Sequence, residues 1–246
     1  MHLSPRRVGV IPARALSSRF PYKVLAPIAG KPLVQHVWEA AQRSRLLHQV
    51  VVATDCERVA QAVRGFGGEV IMTPPSLPSG TDRVFYAIQG WDADTVVNLQ
   101  GDEPLLEGEA IDALIEGFES DTPYGMATLA IPRHDAEEKR SPHVVKVRFE
   151  SDGRVKDFSR SPFEGEAGFF KHLGIYAFRR ATLEKFCGLS PSGREQAERL
   201  EQLRALENGI QIKAVIWPTD TVAVDTPEDV ARVEAVLAQR ERHFKA

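Results

Sequence analysis

Three cations and two hydroxyls crowd one short loop: Arg14, Ser17, Ser18, Arg19 and Lys23. Arginine and lysine at that density suit a polyphosphate, and the backbone N–H groups of a loop can wrap the same oxygens. Charge alone would fit a solvated loop equally well. Placement favours an anion site. The loop follows Val8-Gly9-Val10-Ile11, an apolar run too short for a helix and suited to a buried strand, which Pro12 ends by removing a ladder donor. Open α/β sheets bind ligands at that carboxyl edge. Two carboxylates occupy comparable places. Asp102 lies in the polar turn Gln100-Gly101-Asp102-Glu103-Pro104, after the run Thr95 to Leu99; Asp225 follows the apolar stretch Thr221 to Val224. Magnesium takes one or two carboxylates, several waters and phosphate oxygens, so two aspartates at separate strand ends suit a magnesium–phosphate site. Each is also a candidate helix cap, Asp225 above all, because Thr226-Pro227-Glu228-Asp229 starts a helix well.

Several chemistries are excluded or weakened. No G-x-G-x-x-G follows the first apolar run, which argues against a nicotinamide dinucleotide. Gly30-Lys31 is followed by Pro32, and position 25 is Leu, so there is no P-loop. The seven histidines show no zinc spacing. Asp92-Ala93-Asp94 has the Asp-x-Asp form of a glycosyltransferase metal motif, but it precedes its strand rather than ending one. A net charge of −3 gives no global basic field, so nucleic acid is not the expected partner. No apolar run has the length of a membrane span, and the run after the charged N-terminus is too short for a signal peptide. Cys56 and Cys187 have no metal or CxxC spacing. The expected setting is the cytoplasm.

The elements that must hold these residues alternate. After the first strand, Pro32 opens a helix to Arg43. Gln49 to Thr54 is a second strand, with Asp55 as cap of a helix to about Phe66. Glu69 to Met72 is a third strand. Thr73 to Gly80 is a Pro-rich loop, after which Ser79 or Thr81 caps a helix to Gln89. Thr95 to Leu99 is a fourth strand, and Glu107 to Phe118 a helix. This βα alternation predicts a doubly wound, mainly parallel sheet. Met126 to Ile131, Val144 to Phe149, Val155 to Phe158 and His172 to Phe178 then read as strands with few helices between, an inserted smaller antiparallel sheet spanning about 122–180. Helices follow at Arg180 to Cys187, Arg194 to Asn208 and Pro227 to Arg242, with a strand at Ile210 to Ile216. No linker interrupts the 246 residues, so one domain is expected. Alternation puts His172, Gly174 and Tyr176 on one strand face. The charged stretch Arg194 to Arg204 reads from pattern alone as a solvated helix.

Taken together, Ile11-Pro12-Ala13-Arg14, Ser18-Arg19-Phe20-Pro21, Lys23, Ser79-Gly80-Thr81-Asp82-Arg83, Gln100-Gly101-Asp102-Glu103-Pro104, His172-Leu173-Gly174-Ile175-Tyr176, Leu200-Glu201-Gln202-Leu203-Arg204 and Val224-Asp225 resemble the 3-deoxy-manno-octulosonate cytidylyltransferases. The likeness runs in order over nearly the whole chain. It implies a nucleotide-diphospho-sugar transferase-like fold and transfer of CMP from CTP to 3-deoxy-D-manno-octulosonate (Kdo) for lipopolysaccharide biosynthesis, with Mg²⁺, in a homodimer formed through the inserted sheet. By the same resemblance, Pro12, Ala13, Arg14, Lys23, Ser79, Gly80, Arg83, Gln100 and Asp102 bind the nucleotide, and Lys23, Asp102 and Asp225 are catalytic, the two aspartates holding the metal. Gln100, Arg160, His172, Tyr176, Glu198, Glu201 and Gln202 fall to the sugar acid.

The chain departs from the family pattern at three places. Tyr22 stands where Gly usually precedes the loop lysine, and Val24 where Pro usually follows it. Between Arg160 and His172 only Ser161 to Lys171 remains of a longer stretch, beside the sugar-binding residues. Pro21 and Tyr22 read as an extended pair. The sugar therefore stays open between Kdo, an amino-substituted Kdo and sialic acid. A nucleotide-sugar-binding glycosyltransferase and a catalytically silent nucleotide-binding module remain as other classes.

Overall fold

The computed structural model describes residues 6–15, 20–120, 123–164 and 168–245. Ser17, Ser18 and Arg19 of the cationic loop lie outside the described residues, as do residues 165–167 of the shortened segment. The chain divides into two compact units, Met1–Ile111 with Thr221–Ala246, and Asp112–Asp220.

In the first unit β1 (Arg7–Pro12) buries Val8, Val10 and Ile11 completely. A 3₁₀ turn (Lys23–Leu25) and the two-residue strands β2 (Pro27–Ile28) and β3 (Lys31–Pro32) lead into α1 (Leu33–Arg43). Ala29 and Gly30 both have positive φ, which is what a two-residue hairpin loop between twisted strands requires. Then come β4 (Gln49–Thr54), α2 (Glu57–Gly65), β5 (Glu69–Met72), α3 (Gly80–Ala87) and β6 (Thr95–Asn98); α4 (Gly108–Glu119) starts in this unit and ends in the second. The strand order is β6-β1-β4-β5, every pair parallel, with Val10 opposite Val51 and Val8 opposite Val96. Strands covered on both faces read as continuous apolar runs, and so these do. Each crossover helix presents one apolar stripe: Leu33, Val34, Val37, Ala40 and Ala41 on α1, and Val59, Ala60 and Val63 on α2.

The second unit holds β7 (Met126–Arg133), α5 (Ala136–Arg140), β8 (Lys146–Phe149), β9 (Val155–Ser159), β10 (Phe169–Arg179), α6 (Arg180–Cys187), α7 (Gly193–Glu198), α8 (Gln202–Glu207) and β11 (Ile212–Ile216). Its pairing is antiparallel for β7–β10, β10–β8 and β8–β9, and parallel for β11–β7. The chain then returns to the first unit as α9 (Pro227–Lys245).

Five local expectations are corrected. Residues 194–208 form two helices, because Arg199 adopts the left-handed conformation at φ 55° and ends α7. The helix start is a capping box, in which Ser192 accepts from Glu195 N–H and the Glu195 carboxylate accepts from Ser192 N–H. This stretch is not solvated throughout: Glu195 and Arg204 are buried and pair through two hydrogen bonds, 2.8 and 2.5 Å, which lock α7 to α8. Tyr22 is left-handed, φ 58° and ψ 24°, not extended. Its N–H donates to Ala15 O and its carbonyl accepts from Leu25 N–H, both at 2.8 Å, while the Arg58 guanidinium lies 5.2 Å from its ring. Those contacts hold a conformation that costs a non-glycine residue about 1–2 kcal/mol. Asp55 does not cap α2, whose N-cap is Cys56 without a side-chain bond. Asp225 does not end a strand, since residues 221–225 are irregular. α5, capped by Asp135 on two backbone N–H groups, was not expected from the sequence.

Candidate functional site

In the first unit the carboxyl ends of β1 and β6 meet. A Cβ on Gly101 would lie 2.8 Å from the Pro12 carbonyl oxygen, so only glycine lets the Gln100–Asp102 turn reach the loop after β1. Val224 N–H donates to Asp102 O at 2.9 Å and ties in the returning segment. Three distant stretches of sequence thereby converge on one point. Lys23 Nζ is 2.6 Å from Asp102 Oδ2, 3.1 Å from Asp225 Oδ1 and 3.1 Å from Val224 O. Lys23 is largely buried, which by itself disfavours the ammonium; the charges and hydrogen bonds of Asp102 and Asp225 outweigh that and raise its pKa. Asp229 Oδ2 accepts from Asp225 N–H and Thr226 N–H at 3.0 Å each, which fixes the turn into α9.

Two carboxylate oxygens and a backbone carbonyl around one cation form an all-oxygen donor set of the kind hard divalent ions use. Among the described residues no group of three or more His, Cys, Asp or Glu stands ready for a metal. Two carboxylates fit magnesium that arrives with phosphate oxygens better than a dedicated protein cage.

Pro12 ends β1 and buried Ala13 follows it, with Ala13 N–H donating to Ala53 O at 2.8 Å, and Arg14 is exposed. Ser79 caps α3, accepting from Asp82 N–H at 3.1 Å, and Gly80 lies against Pro12, 3.5 Å from its Cγ to the position a Cβ would take. Arg83 is only 3% exposed, and its guanidinium is taken up by Asp55 Oδ2 at 2.9 Å and by the Thr73 hydroxyl. The other Asp55 oxygen accepts from Ala15 N–H at 3.2 Å. Arg83 thus acts through Asp55 on the backbone of the β1 loop. From sequence Asp55 reads only as a helix cap, and its pairing with Arg83, which lies 28 positions away, was missed. Gln100 is half-buried in the turn. The Asp92-Ala93-Asp94 motif is structural at Asp94, whose Oδ2 accepts from Arg6 N–H at 2.7 Å, at the amino end of the sheet.

The second unit gathers the other candidates. Arg160 Nε donates to Glu198 O at 2.7 Å, Nη1 to Pro142 O at 2.9 Å, and Arg160 N–H to Glu198 Oε2 at 3.1 Å. His172 and Tyr176 do share a face, with ring centroids 5.6 Å apart, but not by simple alternation. Two extra residues bulge from β10 between Leu173 and Tyr176, and an even number preserves the facing. The Thr128 hydroxyl donates to the bulge carbonyls of Leu173 and Ile175, so its oxygen accepts from His172 Nε2 at 3.1 Å and Nδ1 is the ring's acceptor. Burial raises the Tyr176 phenol well above its usual range, and the Glu201 charge adds to it. The break at Arg199 sends Glu198 to Arg160 and leaves Glu201 and Gln202 to start α8. Gln202 is 2% exposed and its Nε2 has no hydrogen-bond partner among the described residues. A buried unpaired donor costs about 1–3 kcal/mol, which suits a polar ligand with acceptor oxygens.

Burial lowers the His172 pKa to about 3. The unfolded chain takes up a proton below about pH 6.5 that the folded chain refuses until about pH 3, so this group's stability is full above 6.5 and lost as pH falls. Between pH 7 and 4.5 wild type is expected to lose about 2–3 kcal/mol more than His172→Gln, read from urea midpoints. Equal losses would mean that the imidazole protonates in the folded chain.

A cytidylyltransferase family model matches residues 8–212. A 3-deoxy-manno-octulosonate cytidylyltransferase of Syntrophobacter fumaroxidans is 47% identical over 244 residues, covering 95% of this chain and 98% of the relative. An 8-amino-3,8-dideoxy-manno-octulosonate cytidylyltransferase of a Shewanella strain is 46% identical, covering 93% and 97%. The solved structure of a CMP:2-keto-3-deoxy-manno-octonic acid synthetase complexed with CTP superposes with a TM-score of 0.90 at 42% identity, covering 96% of this chain and 99% of that one. With these likenesses spanning both units, the chain belongs to the 3-deoxy-manno-octulosonate cytidylyltransferase family.

Proposed function

We propose that the protein transfers CMP from CTP to the anomeric hydroxyl of Kdo, releasing pyrophosphate. The observation that carries the mechanism is the convergence of Lys23, Asp102 and Asp225 within hydrogen-bond distance at the carboxyl edge of the parallel sheet. The anomeric oxygen attacks the α-phosphorus, the bond to the pyrophosphate oxygen breaks in line, and the hydroxyl proton passes to solvent. Little covalent work falls to the protein, so positioning and charge neutralisation dominate. Asp102 and Asp225 would hold Mg²⁺. When bound, it neutralises phosphate charge and favours ionisation of the attacking hydroxyl. Lys23 and Arg14 serve the triphosphate; Ala13, Ser79 and Gly80 line the base, and Arg83 holds the loop after β1 through Asp55. In the second unit Arg160, Tyr176, Glu201 and Gln202 bind the sugar acid, with neutral His172 accepting a sugar hydroxyl at Nδ1.

A second reading, transfer to 8-amino-3,8-dideoxy-manno-octulosonate, is favoured by the Shewanella relative, which is about as similar as those named for Kdo. Self-association through the inserted sheet is part of the proposal. A groove of about 330 Å³ lined by Phe149, Phe169 and Phe170 supports it. Two free cysteines support a cytoplasmic setting, and among the described residues no helix is long and apolar enough to cross a membrane.

The base is tested by competition. With CTP and UTP at equal concentration and Kdo as acceptor, the CMP-sugar should exceed the UMP-sugar by about tenfold or more, since a buried mispaired polar group costs about 1–3 kcal/mol. Equal use of both would reject the nucleotide assignment.

A further inference from the structure

The Lys23 ammonium sits on the same oxygens that the metal would use. We propose that Lys23 is an internal counter-ion that blocks metal binding to the nucleotide-free protein and is released to the triphosphate when CTP arrives with its magnesium. The inference rests on the metal assignment above and goes beyond it, because it concerns when the aspartates become available.

The argument is one of distance and exclusion. Nζ lies 2.6 Å from Asp102 Oδ2 and 3.1 Å from Asp225 Oδ1, with Val224 O also at 3.1 Å. An ammonium accommodates such spacings, whereas Mg²⁺ requires oxygens at about 2.0–2.1 Å. Both carboxylates must close in by about 0.5–1 Å, and neither can while Nζ separates them. The cage is also pinned. Asp102 and Val224 are joined by a backbone hydrogen bond, so the cage cannot open by letting the two segments drift apart. What can move is the lysine side chain, three donors on a flexible stem. Its side chain is 14% exposed, against 27% for Asp102 and 45% for Asp225, so the ammonium is the most enclosed of the three charges. Leaving the aspartates without another anion to meet would strand it. A triphosphate supplies that anion and a metal together. A free divalent cation supplies only competition. The coupling follows: metal alone binds poorly, nucleotide-bound metal binds well, and Lys23 is handed from carboxylate to phosphate.

The test uses Mn²⁺ as the probe, counted by the electron-spin resonance of the unbound ion, on the full chain without nucleotide. Lys23→Met keeps an unbranched side chain, one atom shorter, and removes the charge; it should bind Mn²⁺ at least tenfold more tightly than wild type. Lys23→Arg keeps a cation between the aspartates and should bind as weakly as wild type. Equal, weak binding by wild type and Lys23→Met would overturn the blocking role, as would tight binding by Lys23→Arg. The metal assignment is checked separately. Asp102→Asn in the Lys23→Met background should abolish the tight site, and Asp102→Asn alone should weaken the binding of Mn²⁺ with CTP. If the second holds and Lys23→Met gains nothing, the aspartates hold metal and the lysine does not gate it. If tight binding by Lys23→Met survives Asp102→Asn, the metal lies elsewhere and both ideas fall.

Discussion

Asp102→Asn is expected to leave a folded protein that has lost CMP transfer by about a thousandfold or more. An amide oxygen is a poor magnesium ligand, and charge neutralisation is the main work of such a site. The fold should survive because the contribution of Asp102 to it runs through the backbone: its carbonyl accepts from Val224 N–H, and Asn retains that bond. Lys23 keeps two of its three acceptors, Asp225 Oδ1 and Val224 O. Thermal unfolding together with pyrophosphate release at saturating CTP separates the two effects. Near-normal turnover by a folded variant would remove Asp102 from the metal site.

The second large effect is on stability. Asp55→Ala should cost about 3–5 kcal/mol, because it leaves the Arg83 guanidinium buried without its carboxylate. It also takes the acceptor from Ala15 N–H, in the loop that carries Arg14. Replacing both partners, Asp55→Ala with Arg83→Met, should recover much of the loss, since an uncharged interior carries no stranded charge. Urea unfolding of the three proteins decides it. A loss under about 1 kcal/mol for Asp55→Ala would show that water, not Asp55, satisfies Arg83. Any effect of these changes on CTP binding would come through the loop, as higher KM with kcat largely kept.

The contrast between these residues shows what was legible in the sequence. The strands and helices of the first unit could be read because burial on both faces writes itself as apolar runs, and amphipathic stripes repeat every three to four residues. Asp102 could be read because a turn at a strand end is a local feature. Asp55 could not: as a residue before a helix it looks like a cap, and only the fold brings Arg83 to it. Asp225 was read as ending a strand, but the segment before it is irregular, and only the fold brings its carboxylate to Lys23. Arg199 broke a helix that its charge pattern would have continued, because the buried Glu195–Arg204 pair and Leu200 are better served by two short helices. At Tyr22 the long-range contacts to Ala15 and Arg58 outweighed the local preference of the backbone. Residues whose state depends on a distant partner are the ones sequence leaves open.

The central claim is tested most directly by pyrophosphate release from CTP and Mg²⁺ with one acceptor at a time: Kdo, 8-amino-3,8-dideoxy-manno-octulosonate and sialic acid, with the nucleotide product identified by mass. The account predicts stoichiometric pyrophosphate and CMP-Kdo with Kdo, and none without an acceptor. Pyrophosphate from none of the three sugars, or CMP-sialic acid as the main product, would contradict it.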